Sequence, residues 1–143
     1  MKFRDSSAIV PLLTEEEKTN YCLKALADDP KMLIWCLSRL EVTSSLCRRV
    51  REGHMSADEF RMAKGRLGIV LSKAAEISAV EKVRARASRL LEVHPLRTAN
   101  ACQLAAALVC VQEDPERLPI LCFDRRLESA ALKEGFVVNP GRD

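Results

Sequence analysis

Histidine is scarce in this sequence, and its cysteines form no close pair of the Cys-x-x-Cys type. The two histidines, His54 and His94, lie far from each other, so no compact stretch carries the ligands of a zinc site. The cysteines are Cys22, Cys36, Cys47, Cys102, Cys110 and Cys122. We interpret them as small buried apolar residues of a protein that works in a reducing cytoplasm.

Glycine-rich loops, aromatic clusters and long apolar runs are lacking as well. The sequence has 5 glycines and no glycine-rich phosphate loop, which disfavours nucleotide-binding folds. Aromatic residues make up 4% of the chain, so stacking on aromatic side chains is not the expected way to bind nucleic acid. Charges interrupt every apolar run, and we expect neither a membrane span nor a signal peptide.

What remains is typical of one globular domain. The chain has 143 residues, of which 48% are hydrophobic and 30% are charged. That length buries a substantial core without disulfides or a structural metal, so we predict a single domain over residues 1–143. The net charge of +3 permits an RNA partner without requiring one.

Short apolar segments alternate with amphipathic helical patterns along the chain. The predicted strands are 1–4, 32–35, 120–123 and 136–138. The predicted helices cover 7–13, begin at 14, 38 and 56, follow apolar stripes at 60–74 and 80–91, and cover 99–113 and 124–132. Three helix starts have a capping box: Thr14 with Glu17, Ser38 with Glu41, and Ser56 with Glu59. This alternation predicts an α/β fold, a three-layer α/β/α sandwich around a mostly parallel sheet.

Four side chains are placed to meet at one edge of that sheet. Asp5 and Asp124 each follow a predicted strand, and Glu41 and Asn100 each lie in the first turn of a helix. Sites in open α/β sheets form outside the carboxyl ends of the strands. Clustered carboxylates without histidine or cysteine suit a hard cation, Mg²⁺ or Mn²⁺.

A capping role explains three of the four residues without any site. Asp5 and Asp124 are good N-cap residues, and Glu41 could be the capping-box partner of Ser38. Asn100 is harder to explain in this way. It lies on a predicted buried face of its helix, where an amide needs hydrogen-bond partners.

These segments together resemble the PIN-domain family, in particular toxins of the VapC type. The opening 5–8, Asp-Ser-Ser-Ala, is similar to the family's Asp-x-Ser-Ala. Ser38-x-x-Glu41 resembles its second acidic position. Residues 96–105, Leu-Arg-Thr-Ala-Asn-Ala-Cys-Gln-Leu-Ala, resemble Leu-Arg-Thr-Ala-Asp-Ala-x-x-Leu-Ala, and 123–127 resemble the last acidic strand end. The resemblance extends over essentially the whole chain.

The resemblance implies a metal-dependent endoribonuclease that depends on Mg²⁺ or Mn²⁺. It also implies a cytoplasmic homodimer and a cognate VapB-type antitoxin that covers the acidic groove. Asp5, Glu41, Asn100 and Asp124 take the catalytic and metal-binding positions. Ser7, Arg97 and Arg125 are the candidate substrate-binding residues.

Asn100 departs from the family pattern, because an amide oxygen can bind a metal but brings no charge. Either an Asp was changed deliberately so that a toxin could be produced without harming its host, or the chain is a naturally weakened relative. We favour the first explanation, since the change preserves shape and the surrounding motif is intact. The alternative function is a catalytically dead PIN-like module that binds RNA or protein.

Other enzyme classes fit the sequence poorly. An aspartyl phosphatase of the haloacid-dehalogenase type needs a second Asp two residues after the first, where this chain has Ser7. A response-regulator receiver needs an acidic pair near the first strand and a later phospho-acceptor Asp and Lys, and neither is present. The arginine and lysine clusters at 48–51, 61–66 and 82–89 are interpreted as solvated helix faces, or as phosphate contacts where they line a groove.

Overall fold

Four parallel strands form the centre of the computed structural model, which describes residues 1–142. The strands are β1 (Lys2–Arg4), β2 (Met32–Trp35), β3 (Ala74–Ile77) and β4 (Ile120–Leu121). The helices are α1 (Ser6–Ile9), α2 (Thr19–Asp28), α3 (Ser38–Arg51), α4 (Ala57–Leu71), α5 (Val80–Val93), α6 (Thr98–Cys110) and α7 (Arg125–Lys133). Two short 3₁₀ turns cover Val10–Leu12 and Pro115–Arg117. The predicted α/β fold with a parallel sheet is confirmed.

Both faces of the sheet are covered, which explains why the buried strands are apolar at consecutive positions. In β2, Leu33 and Trp35 pack with residues of α5, α6 and α7 on one face. Met32 and Ile34 pack with residues of α3 and α4 on the other. Alternate residues of one strand therefore serve two separate cores.

The strand order β3-β2-β1-β4 places the predicted site. The chain proceeds from β1 outward through β2 to β3, and then returns to the other side of β1 to form β4. The order therefore reverses between β1 and β4, and in such sheets ligands bind at the reversal, beyond the carboxyl ends of the strands. Asp5 directly follows β1 at this point.

The predicted type of secondary structure was wrong for two segments. Ala74 was assigned to a helical stripe, but it begins β3, which pairs with β2 along its length. Residues 136–138 form only an isolated parallel bridge, between Ile120 and Val138, and no strand. Strand β3 is largely exposed and carries little apolar pattern, whereas the apolar run 136–138 pairs with the sheet at a single position.

The predicted helix start at Thr14 was also wrong, because α2 begins at Thr19. The Thr14 hydroxyl donates to the Val10 carbonyl and accepts from Arg49, so it caps no helix. Thr19 accepts from the Glu16 backbone N–H at 2.9 Å, and Glu16 forms an ion pair with Arg49 of α3. Tertiary contacts thus hold this segment as a turn.

Helix α6 has a different start and end from those predicted. Its N-cap is Arg97, without a side-chain cap, and Thr98 is already helical. The helix ends at Cys110 because Gln112 and Glu113 adopt left-handed backbone conformations, with φ of 53° and 63°. The exposure of Cys110 also corrects the prediction that every cysteine is buried.

Arg4 is the one fully buried arginine among the described residues. Its Nε and both Nη atoms have no hydrogen-bond partner within residues 1–142. Burial lowers the pKa of its guanidinium, since desolvation disfavours the charged form. No helix in residues 1–142 combines the length and apolar character needed to cross a membrane.

Candidate active site

Asp5 lies at the carboxyl end of β1 and caps the short helix α1. Its Oδ2 accepts from the Ser7 backbone N–H at 3.0 Å and from the Ser7 hydroxyl. The predicted capping role of Asp5 is therefore confirmed. Its side chain is only 2% exposed, so this cap is also a buried carboxylate.

Glu41 approaches Asp5 from the first turn of α3, with Ser6 between the two carboxylates. The Ser6 hydroxyl lies 3.0 Å from Glu41 Oε2 and 3.4 Å from Asp5 Oδ1. Helix α3 has Leu37 as its N-cap and no side-chain cap, so the predicted capping box of Ser38 and Glu41 is wrong. Glu41 instead accepts from Gln103 Nε2 at 3.0 Å, across the boundary between α3 and α6.

Asp124 follows β4 and caps α7, as predicted. Its Oδ1 accepts from the backbone N–H groups of Arg126 at 2.9 Å and Leu127 at 3.0 Å. The Ser7 hydroxyl links this turn to Asp5, because it accepts from the Phe123 backbone N–H at 2.8 Å and donates to Asp5. Ser7 thus holds the end of β1 against the end of β4.

Asn100 lies in the first turn of α6, three residues before Gln103. Residues three apart are neighbours on a helix surface, so Asn100 lies next to Gln103 on α6. It is half-buried, which corrects the expectation of a buried amide. The second amide of α6, Gln103, is fully buried.

Burial and mutual repulsion disfavour ionisation of the two carboxylates. Desolvation raises the pKa of Asp5, and the nearby charge of Asp124 raises it further against the hydrogen bonds from Ser7. Desolvation likewise raises the pKa of Glu41, with a smaller contribution from Asp5, while Gln103 and Ser6 oppose the increase. The charge of Asp124 therefore raises the pKa of Asp5, and the charge of Asp5 raises the pKa of Glu41.

A groove of about 620 Å³ opens beside this pair. Its polar wall includes Ser6, Ser7 and Glu41, and Arg48 lies farther along α3. The rest of its lining is mostly apolar, with three further hydroxyl side chains: Val10, Trp35, Leu37, Leu40, Ser44, Ser45, Thr98, Ala99 and Cys102. The groove therefore presents a carboxylate, Glu41, and a cation, Arg48, about two helix turns apart along α3.

The charge of this site suits a hard cation, although the ligand set is small. Within residues 1–142 none of the three carboxylates Asp5, Glu41 and Asp124 takes part in an ion pair. The same residues contain no group of three or more His, Cys, Asp or Glu side chains arranged to hold a metal. One or two carboxylates completed by water are nevertheless an ordinary binding mode for Mg²⁺. Asp5 and Glu41 fit such a cation.

The basic clusters have mixed roles. Arg61 and Arg84 pair with acidic residues of their own helices. A second group bonds to residues distant in sequence: Arg49, Lys64, Arg66 and Arg86. Arg48 alone, among the arginines and lysines of residues 1–142, lines the 620 Å³ groove. Arg97 and Arg125 are exposed at the starts of α6 and α7, next to the acidic positions in sequence.

Sequence reasoning missed three residues that organise the site: Ser6, Ser38 and Gln103. Ser38 was assigned to a cap, but its hydroxyl contacts the Gln103 side chain. Gln103 could have been found, because it is the single polar side chain between Ala101 and Leu108 in an otherwise apolar helix. Such a residue needs a partner, and its spacing from Asn100 places that partner at the site.

Solved structures share this fold at low sequence identity. VapC20 of Mycobacterium tuberculosis, a sarcin-ricin loop cleaving toxin, is 19% identical with a TM-score of 0.67 over 96% of this chain and 97% of its own. FitAcB of Neisseria gonorrhoeae is 13% identical with a TM-score of 0.66 over 96% of both chains. A toxin–antitoxin complex from Klebsiella pneumoniae is 17% identical with a TM-score of 0.59 over 87% of both chains.

No family model and no curated protein matches the sequence. The likeness to solved structures shows the architecture: the chain has the PIN-domain fold of the VapC toxins and of toxin–antitoxin complexes.

Proposed function

We propose that this chain is a metal-dependent endoribonuclease toxin of the VapC type, weakened or inactive in this form because Asn100 replaces an acidic residue. It would cleave RNA phosphodiester bonds with Mg²⁺ or Mn²⁺, in the cytoplasm. One observation carries the proposal. Two carboxylates without ion-pair partners in residues 1–142, Asp5 and Glu41, are bridged by Ser6 where the strand order of a VapC-like fold reverses.

The residues that would hold the cation are Asp5 and Glu41, with Asp124 close enough to contribute charge. Ser6 and Ser7 fix the carboxylates, since each hydroxyl bonds to Asp5 and also to a second element. When bound, Mg²⁺ or Mn²⁺ supplies positive charge that offsets the negative charge developing on the attacking and leaving oxygens of a phosphodiester. The buried carboxylates favour such a cation because it relieves their mutual repulsion.

The groove provides room for a single strand of RNA beside the acidic pair. Arg48 lies seven residues after Glu41 on the groove side of α3, a rise of about 10 Å along the helix. A phosphate one or two nucleotides from the cleaved bond could therefore reach its guanidinium. We propose Arg97 and Arg125, exposed at neighbouring helix starts, as further phosphate contacts, and Ser7 as the hydroxyl that supports the substrate end of the site.

A toxin of this kind requires a restraining partner. Leu37 and Leu40, which line the groove, are 45% and 64% exposed. An antitoxin segment with apolar side chains and one Arg or Lys would cover these leucines and pair with the carboxylates. We propose a VapB-type antitoxin in this role, bound to a homodimer of the chain.

The competing proposal is a PIN-like module that binds RNA or protein without cleaving. The observation in its favour is that Asn100 leaves α6 with only neutral groups at the site. Within residues 1–142 the acidic side chains also fail to form a three-residue metal cluster.

The substitution Asn100→Asp tests both proposals. It adds one carboxylate next to Gln103 on α6, and an essential catalytic group commonly contributes about 10²–10⁴-fold in rate. We expect Asn100→Asp to cleave single-stranded RNA with Mg²⁺ or Mn²⁺, to stop with EDTA, and to be silenced again by Asp5→Asn. The native chain should be at least about 100-fold slower. A folded Asn100→Asp protein that binds Mn²⁺ and remains inert on varied RNAs would overturn the nuclease in favour of the binding module.

A further inference from the structure

Gln103 is a fully buried amide in the most apolar helix of the chain. Its neighbours Ala101, Leu104 and Ala105 are also fully buried, so the side chain lies between α6 and the rest of the molecule without access to water. Leucine or methionine would fill the same space in the core at a lower desolvation cost than a buried amide. Its presence there needs another explanation.

The contacts of the amide supply that explanation. Gln103 Nε2 donates to Glu41 Oε1 at 3.0 Å and to Ser38 Oγ at 3.1 Å. Its orientation follows from chemistry, because an ionised carboxylate only accepts hydrogen bonds and the amide must turn its NH₂ group toward Glu41. Both hydrogens of the amide then donate, one to Glu41 and one to Ser38. The bond to Ser38 fixes the plane of the amide and so the direction of the bond to Glu41.

Glu41 is consequently held at both oxygens. Gln103 binds Oε1, and the Ser6 hydroxyl binds Oε2 at 3.0 Å while also facing Asp5. Each oxygen of a carboxylate accepts about two bonds, so each retains an acceptor site for a cation. The two donors come from different helices, which fixes the carboxylate in rotation about its last side-chain bond.

We propose that Gln103 is a positioning residue, which holds the Glu41 carboxylate in the orientation that binds the cation. The inference rests on the proposed function, and it assigns Gln103 no contact with substrate. Outer partners that orient metal ligands typically contribute 10–100-fold to metal affinity. The effect of Gln103 on cation affinity should therefore depend on Glu41, whereas a merely structural role would not depend on it.

The experiment measures Mn²⁺ affinity by electron paramagnetic resonance on the full chain, together with thermal unfolding without metal. Gln103→Met keeps the length and volume of the side chain and removes the amide. We expect it to weaken Mn²⁺ binding about 10–100-fold, in both the native and the Asn100→Asp background. Ala107→Gly, another buried position of α6 away from Glu41, is the matched control that destabilises the helix and should leave Mn²⁺ affinity unchanged.

A double-mutant cycle completes the test. In a Glu41→Gln background, Gln103→Met should cause no further loss of Mn²⁺ affinity, since no carboxylate remains to be positioned. Unchanged Mn²⁺ affinity in Gln103→Met, or an equal loss in Ala107→Gly, would overturn the positioning role and leave the proposed nuclease intact. Absence of Mn²⁺ binding in both the native chain and Asn100→Asp would overturn the proposed metal site and this inference with it.

Discussion

Replacing Asp5 by Asn should stabilise the protein in the absence of metal and destabilise it relative to the native chain when Mn²⁺ is present. Asp5 is 2% exposed and has no ion-pair partner among residues 1–142. The substitution fits the structure closely. An Asn carbonyl oxygen in place of Oδ2 keeps both bonds from Ser7, and its NH₂ in place of Oδ1 can donate to the Ser6 hydroxyl.

The magnitude follows from opposing contributions. Burying an unpaired carboxylate costs several kcal/mol, and hydrogen bonds to a charged group return about 1.5–3 kcal/mol each. With the Ser7 bonds offsetting most of the cost, we expect Asp5→Asn to gain about 1–2 kcal/mol without metal. In a domain of this size that gain raises Tm by about 3–7 °C.

The pH dependence has a definite sign. Burial raises the folded-state pKa of Asp5 above its ordinary value of 3.8. At this group the folded protein then binds more protons than the unfolded chain between the two pKa values, so the contribution of Asp5 to stability is largest at acid pH and is lost as pH rises through this range. The advantage of Asp5→Asn should therefore be small near pH 4 and reach its full size above the raised pKa.

Mn²⁺ should reverse the order of stability. At 1,000 times its Kd, a ligand stabilises the folded state by about 4.1 kcal/mol. If Asp5→Asn weakens binding by about 100-fold, the remaining stabilisation is about 1.4 kcal/mol, so the native chain becomes the more stable protein. Differential scanning calorimetry at several Mn²⁺ concentrations measures both effects.

Asp58→Asn is the matched control, because Asp58 is an exposed carboxylate that pairs with Arg61 one turn along α4. It should change Tm little and should leave the Mn²⁺ response unaltered. Two results would refute the reasoning: a lower Tm for Asp5→Asn without metal above pH 6, or an Mn²⁺ response equal to that of the native chain.

Two further substitutions test other parts of the structure. Arg4→Met removes a buried guanidinium that has no partner among residues 1–142 and should stabilise the protein by about 1–3 kcal/mol in urea unfolding, whereas a loss of stability would show that the charge is compensated. Asp124→Ala should cost about 0.5–2 kcal/mol through loss of the α7 cap, while Asp124→Asn keeps the cap and should weaken Mn²⁺ binding alone. Equal stability of the two Asp124 variants would count against the cap.

The parts of the fold that could be predicted from the sequence are those with local signals. The apolar run 32–35 is buried on both faces, and Ser56 with Glu59 forms the predicted capping box. Asp124 caps α7 because an N-cap acts within its own helix turn. In each case the residues that determine the element lie within a few positions of it.

The errors arose where distant residues decide the structure. Strand β3, Ala-Ala-Glu-Ile, has no strand-like apolar pattern and is ordered by its pairing with β2. Thr14 is prevented from capping by Arg49, which lies 35 residues away in sequence. The hydroxyls of Thr and Ser can bond to several nearby backbone groups, and tertiary contacts decide which of these hydrogen bonds forms.

The candidate site shows the same division. The positions of Asp5 and Asp124 at strand ends could be predicted, because strand ends are local features. The partners of Glu41 could not, since Gln103 is 62 residues away and the spacing of Ser38 and Glu41 matches a capping box equally well. The predicted convergence of Asp5, Glu41 and Asp124 into one metal site stays a prediction, with Asp5 and Glu41 linked through Ser6.

The amide at position 100 has a physical consequence whichever way it arose. Burial raises the pKa of both Asp5 and Glu41, the charge of Asp124 raises that of Asp5 further, and the charge of Asp5 raises that of Glu41 further. A fourth carboxylate on α6 would increase this repulsion in the metal-free protein and would be offset only when a cation binds. In the proposed site, Asn100 would therefore favour the folded metal-free chain at the expense of cation affinity, a trade between stability and function that is common at active sites. Asn100→Asp should accordingly unfold at lower temperature without Mn²⁺ and gain more from its addition than the native chain does.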